Sequence, residues 1–217
     1  FGKYVFKGCA NLRSVTFPRT FSNASGPASG SIDVSEFRGC ENLKYVTAAN
    51  PSLKITGGEV DTSYTFDSFK ADVPAEFYLE SVDSSQFHTC ATNNYMAFSY
   101  LNSDGTKQNL YELTVQETSG KKAVYRVNSS NQLVYCEFDS GLETVTMPDT
   151  VGPYQITVIG SGIFRNNCYL RRITIPSSIT TIEDSAFKGC HNLKDVIFKE
   201  PVNITSIGTD AFKTQEV

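Results

Sequence analysis

The chain contains no tryptophan and only two histidines, His88 and His191. So few imidazoles leave little for acid–base chemistry. Neither histidine accompanies a Gly-x-Ser-x-Gly nucleophile. His191 fills a variable slot of a repeat and is expected on an exposed loop, while His88 is expected on a short helix beside Phe87. There is no Cys-x-x-Cys, so the sequence nominates no zinc site. Nor do acids alternate around a glycine as a calcium loop requires.

Carboxylates are scattered rather than paired. Glu137 with Asp139, and Glu183 with Asp184, read as solvated turn residues rather than as a glycosidase dyad. Ser119-Gly120-Lys121-Lys122 lacks the first Gly and the closing Ser/Thr of a phosphate loop, and reads as a hairpin tip. No basic run occurs, and 19 Lys+Arg against 23 Asp+Glu leave a net charge of −4. That balance argues against nucleic-acid or anionic-membrane binding. No stretch approaches the ~18 apolar residues of a membrane span. No catalytic residue, cofactor or metal is nominated.

What the chain has is one pattern used repeatedly. Phe6-Lys7-Gly8-Cys9-Ala10-Asn11-Leu12 returns as Phe37-Arg38-Gly39-Cys40-Glu41-Asn42-Leu43 and as Phe187-Lys188-Gly189-Cys190-His191-Asn192-Leu193, with a looser copy from Phe164. Each time Leu stands six residues after Phe and a β-branched residue nine after it. Such a chain builds a stack, because no single unit can bury its own hydrophobic side. One half-pattern, Leu-x-x-[Val/Ile]-x-apolar, gives Leu12/Val15/Phe17, Leu43/Val46/Ala48, Leu142/Val145/Met147, Leu170/Ile173/Ile175 and Leu193/Val196/Phe198. Its two-residue spacing is that of a strand, and Pro18, Pro148 and Pro176 stop three of the copies. The other half-pattern is Ile156/Ile159/Phe164, Ile179/Ile182/Phe187 and Ile204/Ile207/Phe212.

The Gly-Cys-x-Asn-Leu signature and the run Ile175 to Phe187 resemble the BspA-like class of leucine-rich repeats, found in surface proteins of gut and oral anaerobic bacteria and in some protozoan parasites. The resemblance covers residues 1–49 and 142–217 well and the middle poorly. It implies an α/β leucine-rich-repeat solenoid, a right-handed horseshoe-like stack of short strands with short helical turns. It also implies a non-enzymatic, extracellular binding module of a cell-surface protein, adhering to host or neighbouring-cell proteins. Glycans are an open alternative ligand, through aromatics such as Tyr45 and Tyr169. A structural spacer presenting another domain is the competing reading. The incomplete terminal half-coils are read as the ends of a mature or trimmed piece of a longer protein, or else as caps.

The expected organisation is a first repeat block over 1–82, a connector over 83–122 and a second block over 123–217. In the connector, Asp83 or Ser84 caps a short helix ending at Asn93-Asn94, Met96–Leu101 is a strand, and Leu110–Val115 with Ala123–Val127 form a hairpin. The residues between Phe21 and Ile32 read as a surface loop. Cys9, Cys40, Cys168 and Cys190 are assigned one repeat position, expected to face the core as reduced thiols. Asn23, Asn128 and Asn203 begin glycosylation triplets that matter only in a protozoan source.

The candidate binding surface is the set of side chains pointing outward between the buried ones. The rows are Ser14/Thr16, Tyr45/Thr47, Thr144/Thr146, Arg172/Thr174 and Asp195/Ile197; the last four pairs are the nominated candidates, with Tyr45 and Arg172 as the anchors favoured by residue type. Their bland explanation is that Thr suits exposed strand positions.

Overall fold

The computed structural model describes residues 4–21, 30–57, 62–63, 65–83 and 85–214. It divides into two units, Phe1–Asn109 and Leu110–Val217. In the first unit β1 (Ser14–Phe17), β3 (Tyr45–Ala48), β5 (Tyr78–Val82) and β6 (Ala97–Leu101) pair in parallel, each with the next. Their register aligns Val15, Val46, Leu79 and Phe98. The last three are almost fully buried, because they pack against the same row of neighbouring rungs. A second pair, β2 (Ser31–Asp33) with β4 (Lys54–Thr56), sets Ile32 beside Ile55.

Two further coils occupy the region where the repeat is hard to read. α1 (Phe66–Asp72) is capped by the hydroxyl of Thr65, and α2 (Gln86–Asn93) by Ser85 rather than by Asp83. Ser84, the other expected cap, lies outside the described residues. These helices replace the Phe-x-Gly-Cys turn and lengthen it. Leu79 stands ten residues after Phe69, and Phe98 eleven after Phe87, where the plain copies have nine. Phe37 still meets Phe69 at 6.2 Å between ring centroids, and Phe6 lies flat on Phe37 at 5.5 Å.

α2 packs on β4, β5 and β6, so it belongs to the first unit. The expected connector is thus divided: its helix buries Phe87, Cys90 and Ala91 against those strands, whereas its hairpin opens the second unit. The boundary falls inside β7 (Lys107–Gln116), which pairs from Leu110 onward with β8 (Lys122–Asn128) as an antiparallel hairpin. β8 pairs antiparallel with β9 (Gln132–Phe138), with a bulge opposite Arg126 and Val127.

Beyond β9 the two half-patterns separate into two parallel ladders. The leucine half forms β10 (Thr144–Thr146), β14 (Arg172–Ile175) and β16 (Asp195–Phe198). A short antiparallel pair, β11 (Thr150–Val151) and β12 (Tyr154–Gln155), follows β10. The isoleucine half sets β13 (Val158–Ile159), β15 (Thr181–Ile182) and β17 (Ser206–Ile207) in order after β9, aligning Leu133, Ile159, Ile182 and Ile207. Between the ladders runs a file of rings, Phe138, Phe164, Phe187 and Phe212, with centroid spacings of 5.7, 4.6 and 4.9 Å. Stacked aromatic pairs add ~0.5–1.5 kcal/mol each beyond the area they bury. Leu170, Ile182 and Phe187 line adjoining rungs of one interior, as the repeat requires.

The cysteines correct one expectation. All six are free, but only Cys40, Cys90 and Cys190 are buried, while Cys9 and Cys168 are exposed. Cys168 does not share the position of Cys190, since it stands four residues after its Phe rather than three. Asn167 holds that slot, and its Oδ1 accepts the Tyr169 and Leu170 amides at 3.0 and 2.9 Å. The backbone agrees: Gly8, Gly39 and Gly189 have φ of 75–78°, and Asn166 takes their place at φ 59°. Asparagine tolerates the left-handed region, so the turn survives without glycine.

Candidate binding surface

Six of the eight nominated surface residues come together on β10, β14 and β16. The register places Thr144, Arg172 and Asp195 in one row and Thr146, Thr174 and Ile197 in the next. The intervening Val145 and Ile173 are fully buried. Thr144, Thr146, Arg172 and Ile197 are exposed, and Thr174 and Asp195 half-buried. Arg172 reaches one Asp195 carboxylate oxygen through Nε at 2.9 Å and Nη2 at 2.7 Å. Both partners are about half exposed, so the pair adds at most ~1 kcal/mol of stability. Its consequence is orientation: Nε and Nη2 are fixed on Asp195 while the half-exposed guanidinium keeps further donors to offer.

In the first unit the outward rows behave differently. Thr47 is 7% exposed, which removes it from any free surface. Its hydroxyl donates to Glu80 Oε1 at 2.9 Å, one rung along in register. Ser99 Oγ donates to Glu80 Oε2 at 3.1 Å, and Lys107 Nζ sits 3.0 Å from the same oxygen. Three donors thereby compensate a carboxylate with almost no solvent contact, a burial costly without them. A row that spacing alone marks as outward has become a buried polar cluster. Tyr45 is half-buried, stacked on Tyr78 at 5.2 Å with Lys107 Nζ 4.9 Å from its ring centre.

Several links between rungs were not anticipated from the sequence. Asn42 Nδ2 donates to the carbonyl of Ala10 at 2.8 Å, and Asn192 Nδ2 to that of Cys168. Both bonds join equivalent positions of successive coils, so the signature Asn fastens one turn to the turn before it. Thr180 and Thr205 hydroxyls donate to the carbonyls of Thr157 and Thr180 at 3.2 and 3.1 Å. Glu183 and Asp184, expected as solvated turn residues, accept the amides of Ser161 and Thr209 at 2.9 and 2.6 Å. A sequence signal existed for the threonines, since each follows the first Ile of Ile-x-x-Ile.

The glycosylation triplets have separate outcomes. Asn23 lies outside the described residues. Asn128 Oδ1 accepts the Ser130 and Gln132 amides, and Asn203 Nδ2 donates to Ser177 O.

His191 is exposed. His88 Nδ1 lies 3.1 Å from Asp83 Oδ1, its Nε2 lies 3.4 Å from Tyr100 Oη, and its ring covers Phe98 at 4.6 Å. This chain of contacts ties α2 to β6. Burial pushes the Cys90 thiol up to about 12 and the Cys136 thiol well above its ordinary value, with Glu137 adding to the latter. Neither is a thiolate nucleophile near neutral pH. Among the described residues no group of three or more His, Cys, Asp or Glu could hold a metal ion. None of their helices is long and apolar enough to cross a membrane.

Comparison with known proteins bears on this pattern. The family described as BspA type leucine rich repeat region matches residues 1–130 and 134–217, in six copies. No curated protein matches. Among solved structures, a leucine rich cell surface protein of Faecalibacterium prausnitzii A2-165 is 27% identical over 46% of this chain and 27% of its own, at a TM-score of 0.35. This chain therefore spans about a quarter of that protein's length. A leucine-rich repeat protein of Bacteroides capillosus is 25% identical over 44% of this chain and 71% of its own (TM-score 0.34). A leucine rich repeat protein of T. pallidum is 18% identical over 94% and 79% (TM-score 0.27).

Proposed function

The chain belongs to the BspA-type leucine-rich repeat family, and on that premise we propose that it is a non-enzymatic, extracellular binding module of a bacterial cell-surface protein. It adheres to host or neighbouring-cell proteins through the exposed face of β10, β14 and β16. Leucine-rich repeat families are typically protein-interaction modules, which supports the general class.

The observation that carries the reading is the composition of that face. A ladder whose inner row is fully buried at Val145 and Ile173 and half-buried at Val196 presents aligned threonines, an oriented guanidinium and, at 44% exposure, Ile197. Arg beside an exposed apolar group is the composition of an interface anchor. Tyr45 belongs to the proposal as a secondary contact, since its ring edge is partly accessible.

A screen of the chain against immobilised matrix proteins and glycans tests it, with Arg172→Ala and Ile197→Asp as the diagnostic variants and Tyr45→Ala as a third. The expected result is saturable protein binding weakened at least tenfold by the first two. Unchanged binding in both would overturn the choice of face. The spacer reading draws support from the first unit, where Thr47 and its neighbours are spent on Glu80. A chain that binds nothing in the screen would favour it.

A further inference from the structure

The second half of β9 carries an edge that no other strand pairs with among the described residues. β9 pairs with β8 along most of its length, but with β13 only through Gln132 and Leu133. The Asp139 amide donates to Lys122 O at 3.0 Å, which sets the alternation of the antiparallel ladder. Tyr135 and Glu137 therefore turn their main-chain groups toward β8. Cys136 and Phe138 turn theirs to the opposite side. Among the described residues no strand pairs with them there, and no backbone hydrogen bond reaches their amides or carbonyls.

A cavity of about 200 Å³ lies on that side. It exists because Leu142 follows Phe138 after four residues, where the plain copies have six, so the short turn leaves a gap opposite 163–169. Phe138 and Phe164 form its apolar wall, and Asp139, Arg165 and Tyr169 line it. Asp139 is engaged, its Oδ2 accepting the Lys122 amide at 2.7 Å. Arg165 is exposed and makes no ion pair among the described residues, so its charge is available to a ligand. The bulge adds Val134 and Tyr135, 38% and 37% exposed, next to the same edge.

Unpaired strand groups beside a groove are a template for another strand. We propose that the Cys136–Phe138 edge docks an extended peptide segment of a partner protein. The segment adds as a strand and sets an acidic side chain against Arg165. The proposal names a partner chemistry within the binding-module reading and rests on that reading, but it uses a different site from the β10–β14–β16 face.

Linear dodecapeptides displayed on phage, selected on the whole 217-residue chain and then synthesised, provide the probe. Acid-containing sequences are expected to enrich and to lose at least tenfold affinity in Cys136→Pro and Arg165→Glu, while binding Arg172→Ala normally. Proline removes an amide that bonds to no other strand, so the ladder to β8 survives. Amide exchange on the unaltered chain gives an independent readout. Without peptide the Cys136 and Phe138 amides exchange faster than those of Tyr135 and Glu137, and with peptide they slow at least tenfold. No enrichment, equal binding by both edge variants, or already slow Cys136 and Phe138 amides would each overturn the proposal. Loss only in Arg172→Ala would overturn it and leave the β10–β14–β16 reading standing. Loss only in the edge variants would support it and leave the β10–β14–β16 face to be decided by the matrix-protein screen.

Discussion

The thiol of Cys190 donates to the carbonyl oxygen of Phe164 at 2.9 Å, one coil back. Cys40 makes the same bond to Phe6 at 3.1 Å. The signature cysteine is thus a small apolar filler that also gives a second donor to a carbonyl already bonded within its own turn, by the Cys9 amide at 3.0 Å for Phe6 and the Asn167 amide at 3.1 Å for Phe164. Cys190→Ala should cost ~0.5–1.5 kcal/mol from the lost buried hydrogen bond, with a further loss from the small void the sulfur leaves. Cys190→Ser keeps a donor and should cost less than Cys190→Ala. Urea unfolding of the two variants measures the difference, and equal losses would refute the bond's contribution. Native iodoacetamide labelling followed by mass spectrometry should modify Cys9 and Cys168 first, with Cys40, Cys90 and Cys190 protected until unfolding.

Gly189 has φ +78°, and a Cβ there would run into Asn166 Oδ1 on the adjoining coil. Gly189→Ala should therefore lower stability by at least ~1–2 kcal/mol from the left-handed backbone alone, with the collision added. Gly105, also at positive φ (+89°) but with open space around it, isolates the backbone cost. Thermal unfolding of both alanine variants should show the larger drop at position 189.

Tyr125 is fully buried, and its hydroxyl has no hydrogen-bond partner among the described residues. Burial, helped by Cys136 and Glu117, raises its pKa well above the ordinary value, so the group stays neutral. Tyr125→Phe removes an unpaired polar atom while keeping the ring. The expected change is neutral to stabilising, by up to ~1–3 kcal/mol. A clear loss of stability on calorimetry would mean the hydroxyl is satisfied.

Glu36 is buried, and its Oε2 accepts the Val5 amide at 2.7 Å. Burial raises its pKa above the ordinary carboxylate value, the Val5 bond opposing and Asp33 reinforcing the shift. For a carboxyl raised on folding, the favourable contribution is full below the unfolded pKa, near 4.3, and is lost as pH rises through the folded one. Glu36→Gln stays uncharged and can still accept from Val5. Its melting temperature relative to the parent should climb as pH increases from 4 to 7. A difference that is flat across that interval would contradict the shift.

Where side chains repeat at constant spacing, sequence was enough. Val145, Ile173 and Val196 stand nine or two positions from fixed landmarks, and each falls on the inner row. Cys168 shows how little error that reasoning tolerates. Its one-residue offset reverses its environment, because in a strand-and-turn coil adjacent residues face opposite ways. The two helical coils escaped recognition for a related reason. α1 and α2 extend the turn by one and two residues, which breaks the interval while leaving the strand register intact.

Periodic leucines, isoleucines and phenylalanines by themselves determined that this protein is a family of parallel rungs with a shared apolar interior, because one coil alone cannot bury its own face. They also marked which positions alternate outward. Whether an outward position meets water was decided only in three dimensions. Thr47 and Thr146 both stand four residues after the Leu of their copies, yet one is sealed beneath a compensated Glu80 and the other is exposed on its sheet. The open edge at Cys136 and Phe138 is likewise a tertiary outcome: β13 stops after two residues, and among the described residues no other strand takes its place.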